Sequence, residues 1–351
     1  MIRLLVAVAT STLVSLFGTR YLIRWLTAHR VGQPIREEGP AGHSIKAGTP
    51  TMGGIAIVVG AGTGYVVSTF PGGIFTRTGL IVMATICAAG FVGGLDDWIK
   101  VTRARNLGLT KRTKMAGQLI VAAAFAVSII AFTQESTKLS FTRAAVPGIE
   151  LGKVLWVIIA VIWIIGFTNG VNLTDGLDGL AAGTSTLGFA AYTVICFWQF
   201  RNVDLYQNLH AQDLAAVSVS MLGGCIGFLW WNAAPAQIFM GDTGSLAIGA
   251  AFATLSLATE TQLLLPILGG LFVVETLSVM IQVGAYRLQR NTPPKQRKRP
   301  FKMAPLHHHF ELGGWPETRV ITRFWIIGGL FVAVGLGLFY ADFLSTGAAS
   351  R

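Results

Sequence analysis

The acidic side chains of this chain are few, and their placement is specific. Asp96-Asp97, Asp175, Asp178 and Asp242 stand at the ends of long apolar stretches, inside Gly-rich segments. An Asp at mid-bilayer costs roughly 2.5–3.5 kcal/mol, falling toward the interface, so carboxylates held there imply a use. Asn172, Lys46, Lys114 and the run His307-His308-His309 are interleaved with them. Hard oxygen ligands beside Lys and His are what magnesium-dependent phosphate chemistry requires. The expectation is one polar site facing one side of a membrane, in a polytopic enzyme.

The elements that position these residues follow from composition. The 351 residues are 52% hydrophobic and only 12% charged, with mean hydropathy +0.60. Soluble domains carry about 25% charged residues. A spanning helix needs about 20 apolar residues, and lipid admits only helices or closed barrels. Barrel-type alternation is absent, so the expected fold is an all-α bundle of about ten spans forming a single integral-membrane domain over 1–351. The first span covers Ile2 to Leu22, with Arg20, Arg24 and Arg30 after it and no small-residue cleavage site, which reads as an uncleaved helix. The others read at about 51–70, 79–95, 116–133, 153–171, 180–199, 213–231, 245–259, 262–285 and 320–340. Lys and Arg concentrate in alternate loops, around 24–46, 100–114 and 287–323, which sets both termini outside and every candidate cluster on the cytoplasmic side. The net charge of +11 fits basic loops at anionic lipid headgroups, not nucleic acid. Cys87, Cys196 and Cys225 lack metal spacing and read as buried small hydrophobes.

Each motif has a bland reading beside its chemical one. Asp96-Asp97 closes the segment Gly90–Leu95 and precedes Lys100. Adjacent helical residues diverge by about 100°, so the two are not expected to share one metal: one contacts the cation while the other positions a lysine or accepts a proton. The alternative is a solvated pair offsetting the basic loop. Asn172, Asp175 and Asp178 are three apart and share a face if the segment is helical; otherwise they cap a turn. Asp242 is a metal ligand or the N-cap of the span that follows, and Phe239 could stack on a flat base or simply be core. The His run could donate hydrogen bonds to a diphosphate or be an ordinary solvated stretch. The basic run Lys295 to Lys302 attracts anionic headgroups.

Five segments, in order, carry a resemblance: Gly48-Thr49-Pro50-Thr51-Met52-Gly53-Gly54, Gly94-Leu95-Asp96-Asp97, Asn172 to Ala181, Met240-Gly241-Asp242-Thr243-Gly244-Ser245, and Pro305-Leu306-His307-His308-His309-Phe310-Glu311. They resemble the phospho-N-acetylmuramoyl-pentapeptide-transferase family over residues 30 to 330, with no departure at the motif positions. The resemblance implies a bacterial plasma-membrane enzyme that joins UDP-MurNAc-pentapeptide to undecaprenyl phosphate, giving lipid I and UMP with Mg²⁺, commonly as a homodimer. It implies that Asp96 and Asp97 bind or activate the lipid phosphate and that Asp242 ligates Mg²⁺. Lys46, Asn172, Gly176, Leu177, Asp178 and Phe239 would line the nucleotide pocket, with Thr51, Asp175 and Gln282 also in the substrate set. Lys114 and His307 to His309 would contact phosphates. A related transferase using UDP-N-acetylglucosamine shares the aspartate segments. A secondary transporter would instead place its acids near the midplane and repeat its halves, and a non-catalytic scaffold would not need so many convergent acids.

Overall fold

In the computed structural model the described residues are 1–29, 48–70, 72–102, 108–133, 135–293 and 296–347. They form helices α1 (Ile2–Ala28), α2 (Gly54–Val67), α3 (Arg77–Thr102) and α4 (Lys111–Phe132), then a hairpin of strands β1 (Lys138–Arg143) and β2 (Val146–Glu150). Helices α5 (Gly152–Thr174), α6 (Leu180–Arg201), α7 (Val203–Tyr206), α8 (Ala211–Asn232) and α9 (Gly241–Ala258) follow. The chain ends with α10 (Leu265–Leu268), α11 (Gly270–Leu288), α12 (Leu306–Glu311) and α13 (Glu317–Ser345). This is the expected all-α polytopic membrane fold.

Among the described residues, eight helices are long and apolar enough to span a bilayer. The two other expected spans are α2, which is only 14 residues long, and α9. Helix α9 differs because it does not meet lipid: every residue from Asp242 to Ala258 is buried. A helix wrapped by other helices can carry Thr254, Ser256 and several glycines that a lipid-facing span would not favour. Without a hydrophobic force between helices in lipid, close packing of small residues must hold them together. A Cβ on Gly93 of α3 would lie 2.1 Å from the Asp242 carbonyl, and one on Gly54 of α2 would lie 2.0 Å from the Gly244 nitrogen. Only glycine lets α2 and α3 close on the start of α9. Deeper in the bundle, Phe252 of α9 stacks on Phe189 of α6 at 4.2 Å.

The end of the bundle carrying the N-terminus is tied by polar contacts. Asp213 in the first turn of α8 accepts from the Arg3 guanidinium, from the Tyr65 hydroxyl, and from the nitrogen and hydroxyl of Thr76. A buried charge demands such pairing, and this one joins α1, α2 and the start of α3. The hairpin was not expected from the sequence. It is anchored on the same end through Thr142 and Arg143 to Asp342 and through the Ser140 nitrogen to Gln262. Candidate catalytic residues gather at the opposite end.

Candidate active site

The last turns of α3 supply Asp96, Asp97 and Lys100, and the first turn of α9 supplies Asp242 and Thr243. The free N–H groups at a helix start need acceptors, and Asp97 provides them from across the interface. Its Oδ1 accepts from the Asp242 nitrogen at 3.0 Å, and its Oδ2 accepts from the Thr243 nitrogen at 2.9 Å and hydroxyl at 2.7 Å. The capping role that the sequence offered Asp242 therefore belongs to Asp97. The Asp242 side chain is turned instead toward Lys100 at 2.6 Å, Lys114 at 2.8 Å and the Asn172 amide.

Asp96, Asp97 and Asp242 each present one carboxylate oxygen, and these oxygens lie within 4.8 Å of one another. Adjacent on one helix, Asp96 and Asp97 were not expected to share one metal, yet each brings an oxygen close to the same Asp242 carboxylate. Helix α3 runs unbroken to Thr102, but α9 approaches so closely at Gly93 that the Asp242 carboxylate comes within reach of both. Asp96 is completed by the Leu109 nitrogen at 2.7 Å and by Lys100 at 2.6 Å. Lys114 lies in the first turn of α4, inside a helix and not in a loop.

Beyond α5 the chain turns from Asp175 to Gly179, so Asn172, Asp175 and Asp178 do not share one helical face. Asn172, still helical, donates to Asp242 and to Ser245 at 2.8 Å. Asp178 points the other way and accepts from the Ala236 nitrogen at 2.9 Å, while its own nitrogen donates to Glu317 at 3.1 Å. Asn232 clamps the same two loops: its Oδ1 accepts from Gly179 at 3.0 Å and its Nδ2 donates to the Ile238 carbonyl at 2.9 Å. Half-buried Asp175 is pushed up to about 8, first by desolvation and then by repulsion from Asp242, Asp97 and Asp178. Leu177 is buried with Leu180, Leu271 and Phe324. Phe239 is half-buried, held by backbone bonds to Pro50 and Gly53 that bring the buried Thr51 beside it. Lys46 lies outside the described residues.

The three histidines diverge. His307 is fully buried. Its Nδ1 lies 3.1 Å from Glu275, and its Nε2, which has no hydrogen-bond partner among the described residues, faces Gly176, where a Cβ would come within 2.4 Å. His308 Nδ1 lies 2.6 Å from Glu311, and His309 Nδ1 accepts from the Lys302 nitrogen at 3.1 Å. Glu275 is the residue that the sequence reading missed. It is fully buried in α11 and also accepts from the nitrogens of Leu306 at 2.6 Å and His307 at 3.2 Å. A lone carboxylate inside an apolar span was the signal that would have found it. The Gln282 amide is engaged on both sides by the Phe301 backbone, at 3.1 Å each.

The model of glycosyl transferase family 4 matches residues 79–260, a stretch that holds α3 through α9 and all three clustered aspartates. A signature for phospho-N-acetylmuramoyl-pentapeptide-transferase matches residues 46–58. Among curated proteins, the phospho-N-acetylmuramoyl-pentapeptide-transferase of Frankia casuarinae is 49% identical, covering 98% of each chain. That of Corynebacterium kroppenstedtii is 46% identical over 98% of this chain and 99% of its own. That of Streptomyces avermitilis is 49% identical over 93% and 94%. With α3 and α9 closing a carboxylate centre inside the matched region and relatives aligned nearly end to end, the chain belongs to the phospho-N-acetylmuramoyl-pentapeptide-transferase family.

Proposed function

We propose that this chain transfers phospho-MurNAc-pentapeptide from UDP-MurNAc-pentapeptide to undecaprenyl phosphate, giving lipid I and UMP, at the cytoplasmic face of a bacterial plasma membrane. We further read residues 1–351 as one catalytic domain that acts as a homodimer. The observation carrying the reading is the convergence of Asp96, Asp97 and Asp242 with two lysines at one end of the bundle. Three carboxylate oxygens within 4.8 Å form an all-oxygen donor set that fits a hard divalent cation. We assign it to Mg²⁺, with Asp242 as the principal ligand. Bound there, the ion would screen the two anionic substrates from each other and stabilise the charge developing on UMP.

The protein's own groups then divide the work. The turn at Gly176–Asp178 and the Phe239 ring, joined through the Asp178–Ala236 bond, receive the uridine, with Thr51 beside Phe239; Lys46 belongs to the same substrate set. Lys114, whose side chain is 21% exposed, serves phosphate oxygens, as do His308 and His309. Buried His307 supports the Gly176 turn from behind. An apolar cleft of about 260 Å³ between α5 and α11, lined by Trp163, Phe167, Pro266, Phe272 and Leu277, supports a carrier with a long apolar chain.

A phosphate monoester has its second pKa near 6 and is largely ionised at pH 7, so a strong general base is not required. An oxygen of the lipid phosphate attacks the sugar-linked phosphorus, a new P–O bond forms, and UMP leaves with the electron pair of the broken one. Inversion at an isotopically chiral phosphorus supports this single step; retention points to an aspartyl-phosphate. Substrate choice is tested by labelled undecaprenyl phosphate, which should be converted with UDP-MurNAc-pentapeptide and not with UDP-N-acetylglucosamine. Equal use of both donors refutes the assignment. Asp242→Asn should lower kcat about a hundredfold or more while nucleotide binding stays within a few-fold; full activity at saturating magnesium removes Asp242 from the ligand set.

A further inference from the structure

The centre of the carboxylate cluster holds a cation that belongs to the chain. Lys100 Nζ lies 2.6 Å from Asp96, 2.6 Å from Asp242 and 3.6 Å from Asp97. Among the described residues, Lys114 contacts only Asp242 of the three carboxylates, at 2.8 Å, and reaches it from the first turn of α4. Lys100 instead folds back from the last turn of α3, where positions i−4 and i−3 are Asp96 and Asp97. An ammonium has three donors and no acceptor, so one lysine side chain can face three carboxylates at once.

We propose that Lys100 is a tethered counter-cation that occupies the place of the divalent ion between Asp96, Asp97 and Asp242 and is displaced when that ion binds. The proposal rests on the reading above that these carboxylates hold a divalent cation. Both lysines bond the same Asp242 oxygen, Oδ2, while Oδ1 accepts from Asn172. A magnesium–oxygen bond is about 2.0–2.1 Å long; Oδ2 already accepts from two ammonium groups, so while both lysines stay, Asp242 can offer an ion only the remaining lone pair of Oδ1. An ion held by Asp96, Asp97 and Asp242 together would lie among the three carboxylates that Lys100 Nζ now faces, and two cations cannot share that point, so Lys100 is the lysine that withdraws. Its four-carbon stem is flexible, and its side chain is already 21% exposed, so it can swing toward the solvent edge. There its charge becomes available to an incoming phosphate. The device has two effects. It offsets repulsion among three close carboxylates before the ion arrives, and it couples ion entry to delivery of a positive charge to substrate.

The test uses the full-length protein in detergent, stripped with EDTA. Amine-reactive footprinting read by mass spectrometry should show Lys100 labelling rise several-fold when Mn²⁺ is added, with Lys114 changing less. In Mn²⁺ titrations followed by electron paramagnetic resonance, Lys100→Met should bind the ion about tenfold tighter than the wild type, and Lys114→Met less than about threefold tighter. Equal gains in the two variants mean only a diffuse charge effect and overturn the proposal, as does unchanged or reduced Lys100 labelling in the wild type. The footprinting result stands even if Lys100→Met does not fold. If Mn²⁺ binds the wild type but no displacement occurs, the exchange fails while the cation site survives. Absence of Mn²⁺ binding in every form would remove the cation site itself.

Discussion

Replacing Glu275 by Gln tests how the His segment is held. The carboxylate takes three donors: the Leu306 nitrogen at 2.6 Å, the His307 nitrogen at 3.2 Å and the His307 ring at 3.1 Å. Gln keeps one acceptor oxygen and turns an amide donor toward the remaining N–H groups. A hydrogen bond to a charged acceptor is worth about 1.5–3 kcal/mol, and an orphaned buried donor costs a similar amount. If that energy holds His307 against Gly176 and keeps its neighbours in register, kcat should fall about 10- to 150-fold. The assay is continuous UMP release by detergent-purified protein, with thermal unfolding measured in parallel. A double-mutant cycle with His307→Ala separates positioning from general destabilisation. The pair should be strongly non-additive, since removing the ring removes much of what Glu275 holds. A rate within about twofold of the wild type, or additive losses, would mean that Glu275 does not hold the His segment in place.

Three further outcomes follow from the same geometry. Asp97→Asn keeps one acceptor for α9 but sets an amide against the second N–H, so it should cost about 1–2 kcal/mol of stability, read as a lower unfolding temperature in EDTA; an unchanged temperature removes Asp97 as the cap. Asp175 is raised to about 8 in the folded protein, so the native state keeps a proton that the unfolded chain releases near pH 4. Its contribution is full at low pH and is lost as pH climbs through 8, so in EDTA Asp175→Asn should gain stability relative to wild type between about pH 4 and 8, by a few kcal/mol, and a flat difference across that range contradicts the assignment. Gly176→Ala drives a Cβ to 2.4 Å from His307 Nε2, an overpacking cost of about 1–3 kcal/mol, and should weaken nucleotide binding; unchanged affinity and unfolding temperature would show that the turn can move away at no cost.

Much of this site was legible because carboxylates are so expensive at the ends of apolar helices. Asp96, Asp97 and Asp242 stand out for that reason, and alternating loop charge places them on one side before any coordinates are known. What the sequence did not carry was the distance between helices. The close approach of α9 to α3 depends on Gly93, one of 42 glycines, and nothing local marks it as the one that matters. That approach reassigns the cap of α9 from Asp242 to Asp97 and lets neighbouring carboxylates share a centre. Lys100 was visible as the next basic residue, but its fold-back onto three acids was not. Glu275 was visible as well, as a charge inside a span, away from the helix ends where the other candidate acids gather. The hairpin is too short and too weakly alternating to rise above the apolar background around it.

Phospho-sugar transfer to a lipid phosphate is the reaction assigned to this carboxylate centre. Its most direct test is UMP release by purified protein given undecaprenyl phosphate and UDP-MurNAc-pentapeptide, with magnesium or with EDTA. Release should require magnesium and be absent when UDP-N-acetylglucosamine is the only donor. Release that persists in EDTA, or none with either donor from folded protein, would contradict that assignment.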